Sequence, residues 1–375
     1  MTGLAIVNGR VLLPDGVTDT EVICDDGRIT VLGGDVGARE VIDAGGRLVA
    51  PGIVDIHGDA FERQWMPRAK TFFPLPLALA ETDRQLAANG ITTAFHGLTL
   101  SWEPGLRCLD NGVEFVAALA EMQPRLTVDN RLHIRWETFA LHAIERVEEW
   151  LGDAHKPLLA FNDHTTQNAM SMRRADKVSH NAERAGLSVD DYKALLDSVW
   201  ARQNDVPGAV AGVAASAREA GVSMLSHDDM TPQMRQDFRA LGATIAEFPM
   251  NAETATDARQ AGEHVVLGAP NVVRGGSHIG AMNAADASEA DLCTILASDY
   301  YYPALLAAAF RLVNERGMAW EKVWPLVSAN PATAAGLDDR GTIEIGQRAD
   351  LIVIDETAPA AVTATVVAGR PVYRV

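Results

Sequence analysis

The sequence predicts an α/β protein: a (β/α)8 TIM-type barrel with a small β-sandwich domain formed by the N- and C-terminal segments. Three observations predict it. Eight short apolar runs alternate with helical segments through the middle of the chain. Both ends are β-rich and broken by hairpin dipeptides. Imidazole and carboxylate side chains recur just after the apolar runs, where barrel enzymes carry their chemistry. The chain of 375 residues is 47% hydrophobic and 22% charged, enough apolar material for a large core.

Residues 4–49 contain LAIVNGRVLL, TEVICDDGRITVLG and RLVA, punctuated by Asn-Gly, Asp-Gly and Gly-Gly. Residues 341–375 repeat the style with GTIEIGQRADLIVID and TATVVAGRPVYRV. Each half is too small for its own core, so residues 1–50 plus 338–375 are expected to pair into one domain around a barrel of residues 51–337. The barrel strands are placed at 53–57, 91–97, 132–137, 158–163, 222–227, 244–248, 264–268 and 293–299. Helical runs separate most of them. LALAETDRQLAANG stops at Gly90, the run after Ser188 begins with a cap-like Ser-Val-Asp-Asp, and PALLAAAFRLVNERG follows the last strand. Residues 165–187 are polar and long for a βα connection, which fits a lid.

Lys and Arg number 32 against 50 Asp and Glu, a net charge of −18. So acidic a surface argues against nucleic-acid binding and requires a local basic pocket for any small anionic substrate. No signal-peptide pattern or membrane-length apolar run is present, which argues against a membrane partner. Cys24, Cys108 and Cys293 are widely spaced and form no disulfide framework, so a cytoplasmic setting is expected. A homodimer is the default expectation for assembly.

The residues that end the proposed strands are His57, Asp59, Glu137, His164, His227 and Asp299. Any one histidine there has a structural explanation, but six nitrogen and oxygen donors on one barrel face suit zinc, manganese or iron(II). Six are too many for one open tetrahedral site and suit two cations. Asp163, Asp228 and Asp229 are equally readable as orienting carboxylates or as loop caps. His96, His133, His142, His155, His180 and His264 are assigned to structure or surface, and Trp65, Trp102 and Trp136 to packing. For an anionic substrate the candidates are Arg68 with Lys70, and Arg274 and His278 flanking Gly275, Gly276 and Ser277 as a phosphate nest. Arg173, Arg174 and Lys177 fall in the lid segment.

PGIVDIH after an N-terminal β-region, Ser298-Asp299, Asn330-Pro-Ala332 and GQRADLIVID together resemble the amidohydrolase superfamily. Its usual first motif is HxH, whereas His57-Gly58-Asp59 is HxD. That form is similar to the phosphonate-operon branch, of the α-D-ribose 1-methylphosphonate 5-triphosphate diphosphatase type. RLHIRWE, SHDD, TIAEFP, GAPNVVRGGSHIGAMNA and ILASDYYYPALLAAAFR extend the resemblance along essentially the whole chain. The resemblance implies two divalent metal ions, with zinc foremost and manganese or iron as alternatives. His57 and Asp59 would hold the first, Glu137 would bridge, His164 and His227 would hold the second, and Asp299 would touch a metal and act as catalytic base. It implies cleavage of a ribose 1-alkylphosphonate 5-triphosphate to release pyrophosphate in phosphonate catabolism. An amide, cyclic amide or deamination substrate is the alternative within the superfamily. A non-catalytic binding subunit is a third reading, disfavoured by the complete donor set. The chain departs from the branch in HGDAFE, where HTDN is usual, and in Asp163-His-Thr-Thr-Gln-Asn168, which lacks a Pro-Gly pair. Its PRP-like element is Met66-Pro-Arg-Ala69. Donors are kept while groups near the substrate differ, so the chemistry is expected to be shared with a different molecule.

Overall fold

The N-terminal segment forms five strands: β1 Leu4–Leu13, β2 Gly16–Asp25, β3 Arg28–Leu32, β4 Glu40–Asp43 and β5 Leu48–Pro51. Eight more follow: β6 Ile53–Gly58, β7 Ile91–Leu100, β8 Asp129–Glu137, β9 Leu158–Asn162, β10 Met224–His227, β11 Ile245–Glu247, β12 His264–Gly268 and β13 Ile295–Ala297. Three end the chain: β14 Leu351–Asp355, β15 Ala361–Val367 and β16 Arg370–Arg374. The coordinates are a computed structural model that describes residues 3–170, 175–276 and 282–375. All eight apolar runs expected to be barrel strands contain one.

Strands β6 to β13 pair in chain order, each parallel to the next, with helices between. The barrel closes where β6 meets β13. Gly58 bridges Asp299, the Asp59 amide donates to the Asp299 carbonyl at 2.9 Å, and the Asp299 amide donates to the His57 carbonyl at 2.9 Å. Below this the fully buried Asp55 carboxylate accepts from Ser298 N at 3.1 Å and from Ser298 Oγ at 2.5 Å.

Strand periodicity sorts the side chains. Leu132, Ile134 and Trp136 of β8 point outward and pack with helix residues such as Phe115 and Val147. Val54, Phe95, Ala160, Leu225, Ile245, Val266 and Ala297 fill the interior as one apolar plug. Two residues further along several of these strands the same inward face carries a polar group: Leu225 leads to His227, Ile245 to Glu247 and Ala297 to Asp299.

The terminal segments meet through antiparallel pairing of β5 with β14, and the sheet runs β16-β15-β14-β5-β1-β2-β3, with β4 alongside β1. The expected sandwich is thus one continuous mixed sheet folded over its own core. Leu4, Val22, Ile29, Val353 and Val366 share that core, and a bridge from Arg28 to Arg348 ties the far side round. Strands β5 and β14 are apolar on both faces because both are covered. Val49, Leu351 and Val353 face the small core, while Leu48, Ala50, Ile352 and Ile354 face the barrel helices.

Residues 165–187, read from sequence as a long connection, lie largely in helices His164–Met170 and Ala175–Ala185. With helix Val189–Trp200 they build a small core of Val178, Ala182, Ala185, Tyr192 and Leu196 against Trp102. Ser188 caps the last of these helices, accepting from the Asp191 amide at 3.1 Å as its sequence pattern predicts. Arg173 and Arg174 lie outside the described residues. No helix among the described residues is long and apolar enough to cross a membrane.

Arg340 clasps the two parts. Its buried guanidinium donates to Asp129 at the foot of β8 at 2.6 Å and to Thr93 Oγ1 at 2.8 Å. Arg340→Ala should lower unfolding free energy by about 3 kcal/mol in urea titration, since removing one partner strands a buried charge. The thiols give a second check. Burial pushes Cys24 up to about 12 and Cys293 up to about 11, while Cys108 is half-exposed. A thiol reagent at mildly alkaline pH should titrate Cys108 alone in the folded protein and all three cysteines after denaturation. The unfolded chain ionises Cys24 and Cys293 near 9.0 and the folded chain only above it, so stability should fall as pH rises from there toward about 12.

Candidate metal centre

The site is built at the strand ends, where the backbone is forced out of extended geometry. Asp228, Phe248 and Asp299 follow β10, β11 and β13 with φ of 60°, 53° and 56°. Aspartate tolerates the left-handed region, but a bulky phenylalanine there is strained. Neighbouring strands hold the turns. The Asp228 amide donates to the Glu247 carbonyl at 2.9 Å, and the Phe248 amide to the Val266 carbonyl at 3.0 Å. The Phe248 ring then lies 4.8 Å from the His57 ring and 5.3 Å from the His227 ring, covering both imidazoles.

Three groups of donors converge, each with its ligand atoms within 4.8 Å of one another: His57, Asp59 and Asp299; His57, His133 and Glu247; and His164, His227 and Asp228. His57 Nδ1 is 2.6 Å from Glu247 Oε1. His227 Nδ1 and His164 Nε2 lie 3.3 and 3.6 Å from Asp228 Oδ2. Glu137 accepts hydrogen bonds from His164, from Nδ1 and from the backbone amide. All six strand-end residues singled out from the sequence therefore stand in or beside these groups.

Of the substrate candidates, Arg274 lines the cavity of about 240 Å³ that opens over His57, His227 and Asp299. Arg68 is exposed and outside that lining, its backbone paired with Thr71. His278 lies outside the described residues.

Three site residues escaped the sequence reading. Glu247 ends the apolar run TIAE just as His227 ends MLSH, and that signal was available. His133 and Arg135 share the inward face of β8 with Glu137, so period-two alternation would have found both. Arg135 reaches into the cavity, with Nη1 3.4 Å from Asp59 Oδ2 and Nη2 3.2 Å from His227 Nε2. Below them the buried Arg235 donates to Ser226 and to Asp229 at 3.3 Å, and its Nε lies 3.2 Å from Glu263, fixing the turn that carries His227 and Asp228.

The electrostatics suit cation binding. Burial drives His57 well below the ordinary imidazole range and pushes His133 down to about 3, so both imidazoles are neutral. Burial, reinforced by Glu62, lifts Asp59 to about 6, and burial also raises Asp299. His164 resists its burial. The Glu137 and Asp228 carboxylates raise it to about 9, and the two histidines hold Asp228 low. Both His133 nitrogens and Glu247 Oε2 are buried without a hydrogen-bond partner among the described residues. Clustered carboxylates beside unpartnered imidazoles are the arrangement a divalent ion satisfies, so the donor set fits such ions.

Gly58 explains one departure of the first motif. A Cβ there would sit 2.7 Å from Asp55 Oδ2 and 2.9 Å from Ser298 Oγ. Both are short side chains held by their mutual hydrogen bond, with little room to move away. Gly58→Ala should therefore destabilise the fold by about 2 kcal/mol in thermal or urea unfolding.

The family model described as the amidohydrolase family matches residues 65–373. The α-D-ribose 1-methylphosphonate 5-triphosphate diphosphatase of Escherichia coli (strain K12) is 30% identical over 356 residues, covering 90% of this chain and 92% of that one. An adenine deaminase of Methylobacterium sp. (strain 4-46) is 25% identical over 385 residues, covering 98% of this chain and 58% of that one. The crystal structure of N-isopropylammelide isopropylaminohydrolase from Burkholderia multivorans ATCC 17616 superposes with a TM-score of 0.67 at 17% identity, covering 100% of this chain and 99% of that one. With the family model spanning most of its length, this chain belongs to the amidohydrolase family and is a hydrolase.

Proposed function

We propose that the chain hydrolyses a phosphoanhydride of a ribose 1-alkylphosphonate 5-triphosphate, releasing pyrophosphate, with two divalent cations of which zinc is foremost and manganese or iron are alternatives. The observation that carries this reading is the similarity to the Escherichia coli diphosphatase along nearly the whole of both chains. His57, Asp59 and Asp299 would hold one cation, and His164 and His227 the other, with Asp228 and Glu137 as its carboxylates. When bound, such ions supply Lewis acidity: they lower the pKa of water and neutralise charge on a phosphoryl group.

The chain's own residues do the rest. Asp299, raised by burial, takes a proton from the attacking water and passes it on as the phosphorus–oxygen bond to the diphosphate breaks. The water oxygen joins the phosphorus that stays on the sugar. Glu247 orients His57 through Nδ1. Arg135 keeps Asp59 in place through its guanidinium. Phe248, over two imidazoles, keeps bulk water off them. The cysteines, all free, suit a reducing cytoplasmic setting.

A second reading has its own support. Phe248, Pro249, Met250, Leu267 and Met282 make much of the cavity wall apolar, as an amide, cyclic amide or nucleobase substrate would favour. The two separate on products. Pyrophosphate release from the sugar triphosphate, abolished by a chelator and restored by zinc or manganese, is expected. Asp299→Asn should lower kcat about 100-fold or more. Turnover of cyclic amides with no pyrophosphate from the triphosphate would replace the first reading with the second.

A further inference from the structure

A protein of net charge −18 repels a polyanion unless cations meet it at the mouth of its site. The barrel seam brings such cations together. The connections after β6, β12 and β13 are neighbours there, because β13 lies beside both β12 and β6. The first carries helix Glu62–Trp65 with Arg63, the second carries helix Ala269–Arg274, and the third begins with Ser298-Asp299-Tyr300.

Tyr300 gathers the two arginines. The Arg63 guanidinium carbon lies 5.6 Å from the centre of the Tyr300 ring, and Arg274 Nη1 donates to Tyr300 Oη at 3.4 Å. Stacking on a ring orients a guanidinium without consuming its N–H donors; among the described residues the Arg63 side chain makes no hydrogen bond and Arg274 uses one donor on Tyr300. Neither arginine has a carboxylate partner among the described residues. Glu62, the acid next to Arg63, instead accepts from Nε and Nη2 of Arg107, at 2.9 Å each. The two guanidiniums are thus positioned on Tyr300, the residue after the proposed base, and both are exposed. Arg274 and Tyr300 line the same cavity as Asp299.

We propose that Arg63 and Arg274, braced by Tyr300, form an anion clamp that takes the outer phosphates of the substrate, the diphosphate that departs. Arg63 was not among the substrate candidates read from the sequence. Paired guanidiniums match phosphate oxygens through charge-assisted hydrogen bonds and offset the charge that grows on the leaving group. The clamp rests on the phosphoanhydride reading above, but its binding can be tested apart from turnover.

The probe is inorganic tripolyphosphate in excess magnesium, titrated calorimetrically into the full-length, metal-loaded protein at low and moderate salt. Arg63→Ala and Arg274→Ala should each weaken binding about tenfold, and the double variant about 100-fold. Tyr300→Phe, which keeps the ring and loses the hydroxyl, should weaken it by about threefold. Salt should weaken the wild type more than the double variant. Arg84→Ala, an exposed arginine paired with Glu81 on helix Leu75–Ala88, is the control and should bind as wild type. Unchanged melting temperatures establish that the variants fold. Affinity within twofold of wild type in the double variant, or an equal loss in Arg84→Ala, would overturn the clamp. If the wild type releases no pyrophosphate from the sugar triphosphate, the reaction assignment fails while the affinities still judge the clamp. If it does, unchanged kcat/KM in both single variants counts against the clamp alone.

Discussion

Everything at the mouth of the barrel depends on one closure. Asp55 and Ser298, 243 residues apart, share two hydrogen bonds in a site from which water is excluded. A buried carboxylate is costly unless its oxygens are satisfied, so this pair forms well or not at all. Its formation sets β6 against β13, and only then do His57 and Asp59 stand beside Asp299. The missing side chain at Gly58 is part of the same constraint, since the closing strands leave it no room.

Above that seam the barrel uses one alternating face for two purposes. Its lower rows are apolar and packed, and its top row is polar. The change happens within two residues on each of several strands, so the donors stand on a rigid floor rather than on loops. Left-handed backbone at Asp228, Phe248 and Asp299 then turns the chain away. That strain is sustained because each turn is hydrogen-bonded to a neighbouring strand.

Much of this was legible in the sequence. The eight apolar runs marked the barrel strands because parallel strands buried on both faces must be apolar throughout. Short β-rich runs at both ends marked the small sandwich, whose strand order was not readable because long-range strand pairing leaves no local signature. Strand-end reasoning found His57, Asp59, His164, His227 and Asp299, which converge in space. It passed over His133 and Arg135 because they lie inside a run read only for its last residue. It passed over Glu247 because a lone acid before Phe-Pro looks like a turn. Arg63 was invisible for a different reason. Its position depends on Tyr300, far along the chain, and no local pattern encodes a stack between distant loops.

The pairing of β5 with β14 carries a consequence for how the polypeptide is made. Val49 and Val353 are register partners, and the small core draws residues from both ends of the chain. During synthesis β5 emerges long before β14 and waits, one edge open, until β14 has left the ribosome. Such an edge is an invitation to intermolecular pairing. Successful production of this enzyme therefore turns on how long that edge stays uncovered, and shortening of its last strands should show up as aggregation before it shows up as lost chemistry.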